Sequence, residues 1–244
     1  MVQAVTARDA VQGSTRTRAP LLRARALTAG RAAVAALILA AIAGQLTTSL
    51  HFWGEQGYGD VPRNVANYLS FFTVESNILA MLALGILVAA HLGGPRVGRR
   101  FDVLLLCATS YMVVTAVVYN TSMRGVELPQ GATLGWSNEV LHLIAPLWML
   151  LDWFASTRER AVHWRDLGTV ILFPLVWLGY TFLRAPKTTV EAGETPYWYP
   201  MLDPASYDSG VLGVVGSCLC VAAALLITAA VHVAFVRWQQ RARR

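Results

Sequence analysis

Residues 211–230 read VLGVVGSCLCVAAALLITAA, a stretch with no charge and no polar stripe at helical spacing. A helix of that composition has no face to offer water, so it belongs in hydrocarbon, where roughly 20 helical residues cross the nonpolar core. Residues 80–90 (AMLALGILVAA) repeat the pattern. A soluble helical bundle would turn polar faces outward, and these segments have none to turn. Working outward from them, the charges along the chain collect in short segments and leave six long gaps. Membrane-spanning helices are predicted at 31–53, 67–91, 102–120, 137–155, 167–184 and 210–236. The composition agrees: 55% of the 244 residues are apolar and 14% charged, against about half and a quarter in soluble domains. The expected fold class is all-α integral membrane, a six-transmembrane-helix bundle spanning 31–236. A disordered basic cytoplasmic tail (1–30) is expected before it and a basic cytoplasmic C-terminus (237–244) after it.

Basic residues set the orientation. Sixteen of the twenty lie in the N-terminal segment to Arg31, the second and fourth loops and the C-terminus; Arg63, Arg124, Arg184 and Lys187 lie on the other side. Positive-inside bias therefore puts both termini in the cytoplasm of a plasma-membrane protein. The net charge of +6 reads as an orientation and anionic-lipid signal, with membrane lipids as partners and no nucleic acid. Basic residues followed by the apolar run 32–40 and Ala41-Ile42-Ala43 resemble a cleavable signal. The apolar character resumes at Leu46, however, so an uncleaved first helix is expected. Cys107, Cys218 and Cys220 all fall inside predicted helices and read as packing residues, with neither a disulfide framework nor metal spacing.

Polar groups inside hydrocarbon are expensive and usually face the bundle interior. On the second predicted helix Ser70, Thr73 and Asn77 share one face by spacing, and on the fourth Asn138, Glu139 and His142 do. Thr73 lies five residues in from Tyr68, and His142 six in from Trp136. At 1.5 Å per residue both sit roughly 8 to 9 Å from the outer boundary. If the faces meet, the threonine hydroxyl can give its proton to the imidazole, the arrangement that activates a weak alcohol nucleophile. The Asn77 and Asn138 amides are then candidates to orient the histidine or to receive an oxyanion. The bland alternatives are a Thr73 hydroxyl bonded back to the Leu69 carbonyl and polar residues serving only as interhelical glue.

Glu75 is turned about 200° from Thr73 and should meet another neighbour. Glu139 and His142 form one Glu-x-x-His step. Its second copy is absent, so no metal is expected and no cofactor is implied. Gln45, Thr47, Thr48, His51, Thr115, Tyr119 and Tyr180 are candidate cavity residues. Arg184 and Arg124 are candidates to hold a carboxylate or lipid phosphate. The aromatics Trp53, Tyr68 and Trp136 read as an interfacial belt, and residues 197–203 (YWYPMLD) as an ordered cap over the outer mouth.

Three segments carry a family likeness: 68–79 (YLSFFTVESNIL), 136–146 (WSNEVLHLIAP) and 199–203 (YPMLD). Together with the order and spacing of the helices, they resemble the androgen-induced-gene and androgen-dependent TFPI-regulating protein family, six-pass membrane proteins with bacterial relatives. The resemblance covers about 31–236. It implies an intramembrane threonine hydrolase of fatty acid esters of hydroxy fatty acids, with the nucleophile at Thr73 and its histidine partner at His142. No role carries over to 199–203. The chain departs from the animal members in its Arg-rich tail, in Glu75 and Glu139, and in Pro146, which sits one residue closer to the histidine. Two rival readings use the same polar face without chemistry: a protein that binds or carries a lipid or small molecule, and a membrane scaffold. The sequence leaves substrate and oligomeric state open.

Overall fold

A computed structural model describes residues 7–126, 132–156, 160–185, 197 and 199–242, with the side chains of 7–20 left aside. Among these residues every regular element is helical. The elements are α1 (Ala7–Gln56), α2 (Val61–Leu69), α3 (Phe72–His91), α4 (Arg99–Val118), α5 (Gly135–Glu139), α6 (Ala145–Ala155), α7 (Leu167–Arg184) and α8 (Val211–Ala242). Five described segments are long and apolar enough to cross a membrane: Leu21–Gln56, Phe72–His91, Arg99–Met123, Trp164–Arg184 and Val211–Ala242. The remaining expected span, 137–155, is helical throughout. Asn138, Glu139, His142 and Asp152 dilute its apolar character, and a π-helical turn at Val140–Ile144 joins α5 to α6.

Helix α4 is the centre of the bundle. Its Leu105, Leu106, Ala108, Tyr111, Met112 and Val114 are buried on successive turns, and it packs on α3, α6, α7 and α8. Helix α1 lies along α3. At Gly30 the chain gives way to Trp148, whose indole would lie 2.0 Å from any added Cβ.

Four expectations are corrected. The second predicted helix (67–91) is two helices: Ser70 closes α2 and Phe71 is extended, with φ −64° and ψ 129°, before α3 begins. Ser70 therefore does not share a helix face with Thr73. Its hydroxyl bonds the Ala66 carbonyl and lies 2.9 Å from the Tyr180 hydroxyl. The tail expected to be disordered over 1–30 is helical from Ala7. Beyond Leu21 it is tied to α6, where Arg23 donates to the Ala155 carbonyl at 2.8 Å and Arg31 forks onto Asp152 at 2.9 and 3.2 Å. The last helix runs on to Ala242, six residues past its expected end. Finally, two of the expected belt aromatics, Trp53 and Tyr68, are core residues at 2% exposure each. Tyr68 donates to the Ile42 carbonyl, while Trp136 stays on the surface. Lys187 and Trp198 lie outside the described residues.

Prolines inside α6 and α7 remove backbone donors, and neighbouring side chains take over the carbonyls they leave. Pro174 in α7 cannot bond the Val170 carbonyl, and the Tyr111 hydroxyl does so instead at 2.9 Å. Pro146 has the same effect beside the polar cluster described next.

Candidate active site

The break between α2 and α3 places Thr73 in the first turn of α3, where backbone N–H groups have no partner within the helix and the helix dipole is positive. Across from it, α5 carries Asn138 and the π turn carries His142. Thr73 Oγ1 lies 3.2 Å from His142 Nε2. On the far side of the ring, Nδ1 lies 3.0 Å from the Asn138 carbonyl oxygen. A carbonyl only accepts, so the proton of the neutral ring sits on Nδ1 and leaves Nε2 as the acceptor of the Thr73 proton. The Leu69 carbonyl, the bland partner for Thr73, belongs to a different helix.

Pro146 and the π turn explain why the ring is held so firmly. In the π turn the Ala145 N–H bonds the Val140 carbonyl, one residue further back than in an α-helix. That leaves the Leu141 carbonyl without its usual donor. Pro146 has no N–H for the His142 carbonyl. Two asparagine amides fill both gaps. Asn77 Nδ2 donates to the Leu141 carbonyl at 3.1 Å and to the Thr73 carbonyl at 2.8 Å, and Asn120 Nδ2 donates to the His142 carbonyl at 3.2 Å. Asn77 thus ties the backbone of the candidate nucleophile to that of the candidate base.

Asn120 is itself fixed by Arg124, which donates to its Oδ1 at 2.8 and 3.1 Å and reaches Glu139 at 2.7 and 3.2 Å. Tyr119 stacks on the imidazole with ring centroids 3.9 Å apart, and its hydroxyl accepts a hydrogen bond from Asn138 Nδ2. The imidazole is therefore fixed by its Nδ1 bond, its stacked face and the carbonyls of its own turn.

Tyr199 completes the cluster from the loop before α8. Its hydroxyl lies 3.5 Å from Thr73 Oγ1 and accepts the Thr73 N–H at 3.4 Å. Its ring packs edge-on against Phe71 and beside Trp177. The following turn, Pro200–Leu202, is pinned to α8 because the Tyr207 hydroxyl bonds both the Met201 carbonyl and the Ser217 hydroxyl.

These groups line one side of a cavity of about 270 Å³, near the lower end of small-molecule pockets. Its other walls are apolar, with Val114, Leu141, Ile171, Leu178, Val221 and Leu225 among them. Leu175 of α7 and Leu219 of α8 also line it, yet are 59% and 65% exposed. Leu175 and Leu219 therefore stand between the cavity and the outside of the bundle.

Of the expected site residues, Thr73, His142 and Asn138 meet at the cavity wall, and Asn77 lies buried just behind. The ring-orienting role expected of the asparagine amides is corrected. The Asn138 backbone, and not an amide, orients the ring; the Asn77 amide holds two carbonyls, and the Asn138 amide gives one hydrogen to the Tyr119 hydroxyl. Glu139 stands outside the cavity, paired with Arg124. Arg184 is also apart from it, donating to the Tyr180 hydroxyl at 2.5 Å and to Asn67 Oδ1 at 2.7 Å. Gln45, Thr115 and Tyr119 line the cavity as expected. Thr47 and Thr48 bond their own helix backbone, and His51 is exposed beside Glu55.

Asn120 and Tyr199 were not among the expected site residues. A proline within a helix signals stranded carbonyls, which points to amides on neighbouring helices. Tyr199 lay in a segment already marked as a cap. No family model, curated protein or solved structure matches the chain.

Proposed function

We propose that this chain is a six-span plasma-membrane hydrolase of lipid esters, with both termini in the cytoplasm, Thr73 as nucleophile and His142 as general base and acid. The observation that carries the reading is the Thr73 Oγ1 to His142 Nε2 contact of 3.2 Å, with Nδ1 committed to the Asn138 carbonyl, at the wall of an apolar cavity. The likeness of 68–79 and 136–146 to an intramembrane threonine hydrolase family points the same way. Residues 135–155 supply the sixth span.

The chemistry follows from the positions of the protons. Thr73 Oγ1 bonds the ester carbonyl carbon as its proton passes to His142 Nε2, and the carbonyl π pair becomes an oxyanion. Collapse of that intermediate breaks the bond to the alcohol, which leaves with the proton from Nε2. Water then attacks the acyl-threonine, gives its proton to Nε2 and forms a second oxyanion. Its collapse releases the fatty acid and returns the proton to Thr73. An acyl chain suits the apolar walls, and Leu175 and Leu219 mark where it would enter sideways from the bilayer, past α7 and α8.

The test is a fluorophosphonate probe and a panel of long-chain esters offered to the protein in nanodiscs. Ester hydrolysis and a phosphonylated peptide containing Thr73 are the expected results. A well-folded protein that neither hydrolyses nor labels overturns the reading in favour of a lipid-binding role.

Orientation has its own test. With the three native cysteines replaced by alanine, Gly98→Cys should react with an impermeant maleimide only after cells are opened. Labelling of intact cells at that position would reverse the topology.

A further inference from the structure

The hydrolase needs a donor for the oxyanion, and the Asn77 amide cannot supply one while holding its present partners. Asn77 Nδ2 spends both its hydrogens on the Thr73 and Leu141 carbonyls, and Asn138 Nδ2 gives one of its two to the Tyr119 hydroxyl. Tyr199 is placed differently. The single hydrogen on Thr73 Oγ1 is given to His142 Nε2, so the 3.5 Å contact between the two hydroxyls must run with Tyr199 as donor. The same phenol oxygen accepts the N–H of Thr73 in the first turn of α3. The Tyr199 hydroxyl therefore sits on the reacting oxygen at the positive end of a helix, with part of the residue's surface lining the cavity.

Resting on the hydrolase reading above, we infer that the Tyr199 O–H is the side-chain donor to the oxyanion formed when Thr73 attacks an ester carbonyl, with the Thr73 N–H as its companion. As Oγ1 gives up its proton and bonds carbon, negative charge moves to the former carbonyl oxygen, one atom beyond. The phenol hydrogen, until then directed at Oγ1, turns to that charge. The phenol keeps its proton throughout and serves both tetrahedral intermediates. The Thr73 N–H, released from the phenol oxygen, donates to the same oxyanion. Distances of 3.4 and 3.5 Å are those of an unliganded site, and such bonds tighten when the charge they serve appears. Burial also pushes the Tyr199 hydroxyl above the ordinary tyrosine range, which keeps it a donor in alkaline solution. The segment 199–203, which carried a family likeness but no role, thereby gains one.

Tyr199→Phe removes the oxygen and keeps the ring that packs on Phe71 and Trp177, so the cap remains seated. The experiment compares wild type, Thr73→Val and Tyr199→Phe in nanodiscs. It measures kcat and KM on a long-chain p-nitrophenyl ester, and inhibition by a long-chain trifluoromethyl ketone and by the matching secondary alcohol. The ketone adds to Thr73 and makes an oxyanion; the alcohol cannot. Loss of one oxyanion donor lowers kcat by about 10²- to 10³-fold. The expected result is a kcat loss of that size with KM unchanged, weaker inhibition by the ketone and unaltered inhibition by the alcohol. A Tyr199→Phe enzyme as fast as wild type overturns the inference, as does a variant whose loss lies in KM and weakens both inhibitors alike. If wild type is active and Thr73→Val is dead while Tyr199→Phe is fully active, only the Tyr199 role falls. If wild type hydrolyses nothing, the hydrolase reading falls and takes this role with it.

Discussion

Replacing Thr73 with valine should lower ester turnover by on the order of 10⁴- to 10⁶-fold while the bundle stays folded. The magnitude follows from losing the proposed nucleophile: the residual rate would come only from binding and oxyanion stabilisation, as when the serine of a hydrolytic triad is removed. Folding should survive because valine keeps the branched shape at position 73. What it loses is a hydroxyl whose interhelical bond to His142 contributes roughly 0.6 to 2 kcal/mol in a membrane protein. Asn77 bonds the backbone carbonyl of residue 73, so the tie between α3 and the π turn does not depend on the side chain. Thr73→Ser keeps the oxygen and should retain measurable turnover. His142→Ala should lose about 10²- to 10⁴-fold, the range for a general base. The measurement is ester hydrolysis beside fluorophosphonate labelling, with thermal unfolding as the control for fold. A Thr73→Val protein that hydrolyses at the wild-type rate removes the threonine from the chemistry.

Asp152→Ala should be the most destabilising single change at the other end of the bundle. Asp152 is 2% exposed at its side chain and Arg31 is 11% exposed, and the two meet through a forked pair of hydrogen bonds at 2.9 and 3.2 Å. Removing one partner of a buried pair strands the other charge, which costs about 3 to 5 kcal/mol. Against a total stability of about 5 to 15 kcal/mol, that is a large share. The pair also joins α1 to α6, so its loss should loosen the first helix. Replacing both partners with apolar residues of similar size, as Arg31→Met with Asp152→Leu, removes the stranded charge and should recover most of the loss. Thermal unfolding of wild type, Arg31→Met, Asp152→Leu and the double variant in one detergent closes the double-mutant cycle. Equal melting of Asp152→Ala and wild type would show that the pair contributes nothing.

The apolar helices were legible from charge placement alone, because exclusion of charge from hydrocarbon acts on each residue according to its position along the chain. Counting residues inward pointed to one depth for Thr73 and His142, but the count for Thr73 crossed the break at Ser70–Phe71, and only the packing brings Oγ1 and Nε2 to 3.2 Å. The Arg31–Asp152 pair was not legible: Arg31 stood at the start of the first predicted span and Asp152 near the end of the fourth, and nothing in either segment names the other. Likewise the break at Ser70–Phe71 interrupts what reads as one apolar run. It depends on Phe71 and Trp177 gathering around Tyr199, with the Trp177 indole N–H donating to the Ser70 carbonyl at 2.9 Å.

The sequence by itself determined which long apolar segments are helical, and it singled out Thr73 and His142 as polar residues within them. Only the tertiary structure decided that Asn77 and Asn120 hold the carbonyls freed by Pro146 and the π turn, that Glu139 and Arg184 stand away from the cavity, and that Tyr199 reaches Thr73 from a distant loop. Spacing along a helix determines the face a side chain shares. The partner across the gap depends on the rotation and approach of separate helices, which are set by packing and by the need to satisfy every backbone group away from water.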